Sequence, residues 1–239
     1  MTISARADVF LVEHGYARSR AEAQEAIAAG KVFDGGRPVL KPSQRLNATA
    51  RIKYERAHPF VSRGALKLAA ALKHFALSPR GRACLDLGAS TGGFSEVLLM
   101  HGARKVFAVD AGHGQLDPKL AADPRVVSLE RTNARALDPL DPAPEAIVAD
   151  LSFISLKLAL PPSLAMAAKG AWLVALVKPQ FEAGREHVGK GGIVRDAGVQ
   201  EAVLADIAAW MPWRVLGHIE SPVKGGDGNR EFLLAARRS

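Results

Sequence analysis

The stretch Arg82 to Leu99, RACLDLGASTGGFSEVLL, constrains this chain more than any other. A short apolar run reaches Asp86, three glycines follow at 88, 92 and 93, and an amphipathic segment comes next. Strand, glycine turn and helix in that order form the nucleotide-binding opening of a doubly wound α/β sheet. Glycines there let a ligand approach the backbone where a side chain would clash. The spacing is GxxxGG rather than GxGxxG, which weakens a dinucleotide reading, and no Gly-Lys-Ser/Thr follows, which weakens a phosphate-loop reading. An acid immediately before the turn, Asp86, suits a cationic group such as the amino group of a methionine moiety. Ser90 and Phe94 are further candidates to line the same pocket, with core packing the alternative for Phe94.

The pattern repeats. A second strand over Lys105–Val109 ends in Asp110, 24 residues after Asp86, where an acid suits ribose hydroxyls. In VVSLERTNARAL a third strand runs toward Asn133, placed to read an adenine. A fourth, Glu145–Ala149, delivers Asp150, and a fifth, Trp172–Val177, delivers Lys178 and Pro179. Ligands of open α/β sheets gather at the carboxyl ends of the strands. Any one of these acids alone reads as a turn former or helix cap, but Asp86, Asp110, Asp150 and Lys178 end four apolar strands. Further on, EAGREHVGKGGIVRD reads as a loop, either mobile over a site or an ordinary surface segment. A helix over Val199–Trp210 and strands near Val215–Ile219 and Glu231–Ala236 close the domain.

The first 59 residues read differently. ARADVFLVEH, residues 5–14, has a short helical pattern stopped by Gly15, and Ser19 caps a second helix ending at Gly30. Val32-Phe33 and Pro38-Val39-Leu40 flank Asp34-Gly35-Gly36, a hairpin signal. Arg51 to Pro59, polar, basic and ending at proline, reads as a linker. Residues 1–66 hold 11 Lys/Arg against 6 Asp/Glu, so most of the net charge of +8 lies in this quarter of the chain. That bias favours a polyanionic partner. The single cysteine, Cys84, lies in an apolar run and reads as core; it excludes an internal disulfide and a cysteine metal cluster. The seven histidines show no ligand spacing, so no metal is expected. The longest apolar runs are far too short to span a membrane, and the N-terminus lacks a signal-peptide pattern, which fits a cytoplasmic protein.

Residues 5–40 resemble the ribosomal S4-like RNA-binding domain. That resemblance implies that Arg18, Arg20 and Lys31 lie near RNA phosphates. VSRGALKL, DLGASTGGF, AVDAGHGQL, ERTNAR, ADLSFISL, LVKPQFE and GNREFLL, in this order, resemble the TlyA family, whose catalytic domain is FtsJ-like and some of whose members carry the haemolysin name. The resemblance implies a small α+β S4-like domain over residues 1–59 and, over 60–239, a Rossmann-like class I methyltransferase whose late strand pair is antiparallel. It further implies S-adenosylmethionine as cofactor and ribosomal RNA as partner, with a ribose 2′-hydroxyl of cytidine in 16S or 23S RNA as acceptor. The family's Lys-Asp-Lys-Glu set falls on Lys67, Asp150, Lys178 and Glu231, and Arg63 is an RNA candidate beside Lys67. Read without the family, Lys67 is an ordinary helix-surface lysine. Asp150-Leu151-Ser152-Phe153 lacks the Pro-Pro-aromatic signature of N6-adenine enzymes, which favours ribose over base. The rivals are a non-catalytic ribosome-assembly factor and a membrane-lytic protein; the latter lacks both a membrane-spanning helix and barrel-like alternation.

Overall fold

The computed structural model describes residues 4–225 and 228–239. The chain divides into two compact units, Met1–Pro59 and Phe60–Ser239.

In the first unit, β1 (Ser4–Arg6) leads into α1 (Ala7–Glu13) and α2 (Arg20–Ala28). The hydroxyl of Ser19 accepts from Glu22 N and caps α2 as its sequence predicts. β2 (Val32–Asp34) and β3 (Arg37–Pro38) form the hairpin, with Gly35 and Gly36 at positive φ in its turn. β4 (Arg45–Asn47) pairs with β1. The expected linker is partly a strand: β5 (Ile52–Tyr54) pairs antiparallel with β2. Its alternation, two apolar residues around Lys53, is a strand period too short to stand out in a basic stretch. Arg56 and His58 continue the attachment by reaching Glu22 and Glu25 on α2, at 2.7 and 3.2 Å. Phe10, Leu11, Ile27, Val32, Val39 and Leu46 make up most of this unit's core.

The second unit opens with α3 (Gly64–His74), then β6 (Ala83–Leu87), α4 (Gly93–Met100), β7 (Lys105–Val109), α5 (Pro118–Ala121) and β8 (Val126–Leu129). There follow β9 (Ala146–Ala149), α6 (Leu156–Ala159), α7 (Pro161–Met166), β10 (Trp172–Val177), α8 (Pro179–Glu182), α9 (Ala197–Trp210), β11 (Arg214–Glu220) and β12 (Phe232–Arg237). The seven strands lie in the order β11-β12-β10-β9-β6-β7-β8. β6 to β10 are mutually parallel, while β12 runs antiparallel to both β10 and β11.

Strand periodicity distributes side chains between two buried layers. Leu85, Ile147, Leu173 and Leu234 face one, packed with residues of α6, α7 and α9. Cys84, Val148, Val174 and Leu233 face the other, with α3 and α4. Cys84 is thus a core thiol, and burial pushes it up to about 12. Counting by twos toward the carboxyl ends of the parallel strands, which is onward from Cys84, Val148 and Val174 but backward from Leu233 on the antiparallel β12, Asp86, Asp150, Lys178 and Glu231 fall in the second register. That register faces α3.

The glycine-rich charged loop is held in place. Asn229 Oδ1 accepts from Val194 N at 3.1 Å and its Nδ2 donates to Gly192 O at 2.9 Å. Gln200 donates to Val194 O at 2.8 Å.

Candidate active site

α3 places Lys67 on its inner face, in line with Ala71 and beside Leu68, so the residue is only 8% exposed. The sequence-based alternative, a solvated surface lysine, is therefore replaced by a buried one. Its ammonium meets Glu231 Oε2 at 2.6 Å and lies 4.0 Å from Asp150 Oδ2. The other oxygen of Asp150 meets Lys178 Nζ at 2.6 Å. Lys178 also donates to Ser152 Oγ at 3.0 Å, and its Nζ lies 5.9 Å from the centre of the Phe181 ring. Four residues from four separate segments thus form one chain, Glu231–Lys67–Asp150–Lys178. Two positive and two negative charges balance, which is what allows Lys178 and Glu231 to sit 7% and 3% exposed. The backbone at Gly225 abuts Glu231: a Cβ there would lie 2.6 Å from Oε1.

Beside this chain is a cleft of about 520 Å³ at the carboxyl ends of the parallel strands, bounded by Gly88, Ser90, Asp110, Asn133, Asp150 and Phe153, among others. Its position at the point where strand order reverses, between β6 and β9, is where this sheet class binds ligands, and its size suits a small molecule. Gly88 sits there with φ of 80°, and a Cβ would come within 2.5 Å of Asp150 O, so the turn between β6 and α4 closes against β9 only without a side chain. Asp110 accepts from Ser90 N and Gly112 N, both at 2.7 Å, shaping the rim.

Asp86 is fully buried at the end of β6. Ser95 donates to its Oδ2 at 2.6 Å, while its Oδ1 has no hydrogen-bond partner among the described residues. Burial, with the nearby charges of Asp150 and Asp110 adding to it, pushes the carboxyl up to about 7. Three carboxylates converging with one acceptor unused is an arrangement that a cationic ligand would relieve.

The sequence candidates separate in space. Gly88, Ser90, Asp110, Asn133 and Asp150 line the cleft. Asp86, Gly92, Gly93 and Phe94 do not; Asp86 is sealed behind the lining, Phe94 is a core residue against Gly64, and Gly92 and Gly93 clear space for Leu120 and for the start of α3. In the first unit Arg20 donates to Asp8 Oδ2 at 2.8 Å, Lys31 lies 3.4 Å from Glu55, and Arg18 Nε stands 3.9 Å from Glu22. Arg63 precedes α3.

Sequence reading missed several groups. Gln115 and Thr132 line the cleft, and Gln115 bonds Ser90 Oγ at 3.1 Å. Glu130 holds His113 and Gly114 N, at 2.7 and 2.8 Å, and thereby the loop that carries Gln115. Phe153 is 91% exposed at the cleft edge, with φ of 63° and its ring 5.1 Å from that of Phe181. A bulky residue with positive φ has no one-letter signature. Among the described residues no helix is long and apolar enough to cross a membrane, and no group of three His, Cys, Asp or Glu side chains could hold a metal ion.

Comparison with known proteins is consistent across the chain. The FtsJ-like methyltransferase family matches residues 60–238 and the S4 domain matches residues 5–52. The 16S/23S rRNA (cytidine-2′-O)-methyltransferase TlyA of Mycobacterium tuberculosis is 48% identical over 99% of this chain and 91% of its own length. Hemolysin A of Brachyspira hyodysenteriae is 40% identical, covering 95% of this chain and 98% of its own. A solved structure from Streptococcus thermophilus that carries the hemolysin name superimposes with a TM-score of 0.79 at 40% identity, covering 100% of this chain and 90% of the other. With both halves matched and the Lys-Asp-Lys-Glu residues assembled in one place, the chain belongs to the TlyA family of S4-bearing, FtsJ-like methyltransferases.

Proposed function

We propose that this protein methylates the ribose 2′-hydroxyl of a cytidine in ribosomal RNA, within ribosomal subunits in the cytoplasm, using S-adenosylmethionine. The observation that carries the reading is the buried chain Glu231–Lys67–Asp150–Lys178 opening, through Asp150, onto the cleft.

The cleft fits that cofactor. S-adenosylmethionine supplies a methyl group on a sulfonium, already a good electrophile. Asp86 Oδ1, the buried acceptor without a donor, suits the ammonium of its amino-acid part. Asp110 suits its ribose hydroxyls and Asn133 its adenine; Gly88 and Ser90 form the wall between them. Gly92, Gly93 and Phe94 support the turn from behind by packing.

The chemical difficulty lies in the acceptor, because a ribose hydroxyl is a weak nucleophile that must be aligned and relieved of its proton. Lys178 is the group assigned to it, in one of two roles: as a neutral amine it receives the hydroxyl proton as the new C–O bond forms, or as the ammonium paired with Asp150 it stabilises the charge building on that oxygen while the proton leaves to solvent. Asp150 Oδ1 and Ser152 Oγ fix Lys178 in place. Lys67 and Glu231 steady Asp150 from its other oxygen. RNA affinity comes from Arg18, Arg20 and Lys31 of the S4 unit and from Arg63, through phosphate contacts that position the substrate without reading its sequence.

The test is methyl transfer from radiolabelled S-adenosylmethionine to purified 30S and 50S subunits, followed by nucleoside mass analysis. Wild type should yield 2′-O-methylcytidine. Lys178→Met should lower the rate about 1,000-fold while binding the cofactor within a few fold of wild type. A protein that binds cofactor and RNA but labels neither subunit would instead be an assembly factor.

A further inference from the structure

The parallel ladder between β9 and β10 ends at the pair Ala149 and Ala175. Asp150 and Lys178 both lie beyond it, so the ladder does not set their 2.6 Å contact. The segment that follows Asp150 is poorly tied to itself: among the described residues, no backbone N–H from Leu151 to Ser155 donates to a backbone carbonyl. Within it Phe153 has a positive φ that a bulky residue adopts only under restraint.

The restraint comes from the other side. Glu182 stands one helical turn after Lys178, on α8. Its Oε2 accepts from Ser155 Oγ at 2.6 Å and its Oε1 accepts from Leu156 N at 2.8 Å. One carboxylate thus takes a side-chain donor and a backbone donor from the far end of the loop. Lys178 to Ser152 and Phe181 to Phe153 complete the seam. Burial raises the Glu182 carboxyl above its ordinary range, so holding a carboxylate here is costly.

We infer that Glu182 is a positioning residue, which through Ser155 and Leu156 locks the loop carrying Asp150 to the turn carrying Lys178 and so fixes the geometry of that pair. Its carboxylate bonds Ser155 and Leu156 rather than Asp150 or Lys178, so it acts through the loop. The inference rests on the catalytic assignment above, because displacing the pair matters to rate only if the pair does the chemistry. A misplacement of about 1 Å at such a pair costs on the order of 100-fold in rate.

The experiment uses the full chain and the subunit that wild type labels. Glu182→Ala should lower kcat roughly 10- to 100-fold, with KM for the subunit within about threefold and the thermal midpoint little changed. Glu182→Gln should recover most of the rate, since its carbonyl can accept from Leu156 N and its amide can donate to Ser155 Oγ. Ser155→Ala should lose less, and adding it to Glu182→Ala should cost nothing further, because the two act as one unit. A second readout does not depend on turnover. Amide exchange at Leu156, whose N–H the Glu182 carboxylate holds, should quicken at least about tenfold in Glu182→Ala, while β9 and β10 keep their protection. Glu182→Ala retaining kcat within twofold, Glu182→Gln failing as badly as Glu182→Ala, or unchanged exchange at Leu156 would each overturn the inference. A wild type that labels no subunit would defeat the methyl-transfer reading instead, and the exchange measurement would still decide whether Glu182 holds the loop.

Discussion

Each unit of this protein buries an aspartate completely, and the two have opposite surroundings. Asp8, at the start of α1, accepts from Arg6, Arg20, Gln24 and its neighbour Val9 N, with both oxygens engaged. The Arg6 guanidinium, seconded by Arg20 and Gln24, holds its carboxyl far below the usual range despite burial. Asp86 receives one hydroxyl, keeps one oxygen bare, and has other carboxylates nearby. Burial then dominates and the carboxyl rises to about 7. A buried carboxylate supplied with all its donors is part of the scaffold; one left short of donors has a place for a ligand's positive charge. The comparison separates a buried carboxylate that its own unit satisfies from one that its unit leaves short of donors.

The largest effect should come from removing the receiving charge. Asp86→Asn should weaken S-adenosylmethionine binding about 100-fold by calorimetry, in line with the loss of a charge-assisted bond, and Asp8→Asn should leave it unchanged. Equal affinity in the two variants would break the comparison.

Next comes stability, where the two acids should act in opposite directions with pH. Asp8 is depressed in the folded state, so its contribution is present above the unfolded carboxylate range and is lost as pH falls below about 4. Asp86 is raised, so the folded state binds the extra proton between about 4 and 7, and stability falls as pH rises through that window. At pH 8, Asp8→Asn should destabilise its unit by about 2 kcal/mol, whereas unliganded Asp86→Asn should melt no lower than wild type. Denaturation of the full chain at pH 5 and pH 8 checks both; a pH-independent Asp86→Asn difference would remove the argument for a raised carboxyl.

The smallest effect concerns Arg20. Its guanidinium is more than half exposed while bonded to Asp8, so Arg20→Gln should leave Asp8 served by Arg6 and Gln24. RNA affinity should drop severalfold, and the salt dependence of log K should lose about one unit of slope. An unchanged slope would mean that Arg20 belongs to the scaffold alone.

How far the sequence carried differs from residue to residue. Asp110, Asp150 and Lys178 were legible because each ends an apolar run, and strand ends are where this sheet class places its chemistry. Lys67 was legible only through the family's motif, since nothing in SRGALKLAAALKHF tells a buried helix lysine from a solvated one. Phe94 was drawn to the cleft by its place after the glycines, but the helix turns it inward to the core. β5 was hidden because three residues of alternation do not outweigh a basic composition. Glu182 carried no signal at all: a glutamate one turn after a strand reads as surface until the loop from β9 is seen to end on it.

Local chemistry therefore determined the elements of this protein by itself. Period-two alternation, glycine turns and a serine cap act between near neighbours, and they specified a doubly wound sheet that follows, in sequence, a small helical and hairpin unit. Tertiary structure alone decided which charges meet. Lys67 and Glu231 are 164 residues apart and lie 2.6 Å from each other. Whether a carboxylate is satisfied, like Asp8, or left waiting, like Asp86, depends on donors that arrive from distant segments on folding, and their supply is a property of the packed chain rather than of the residue.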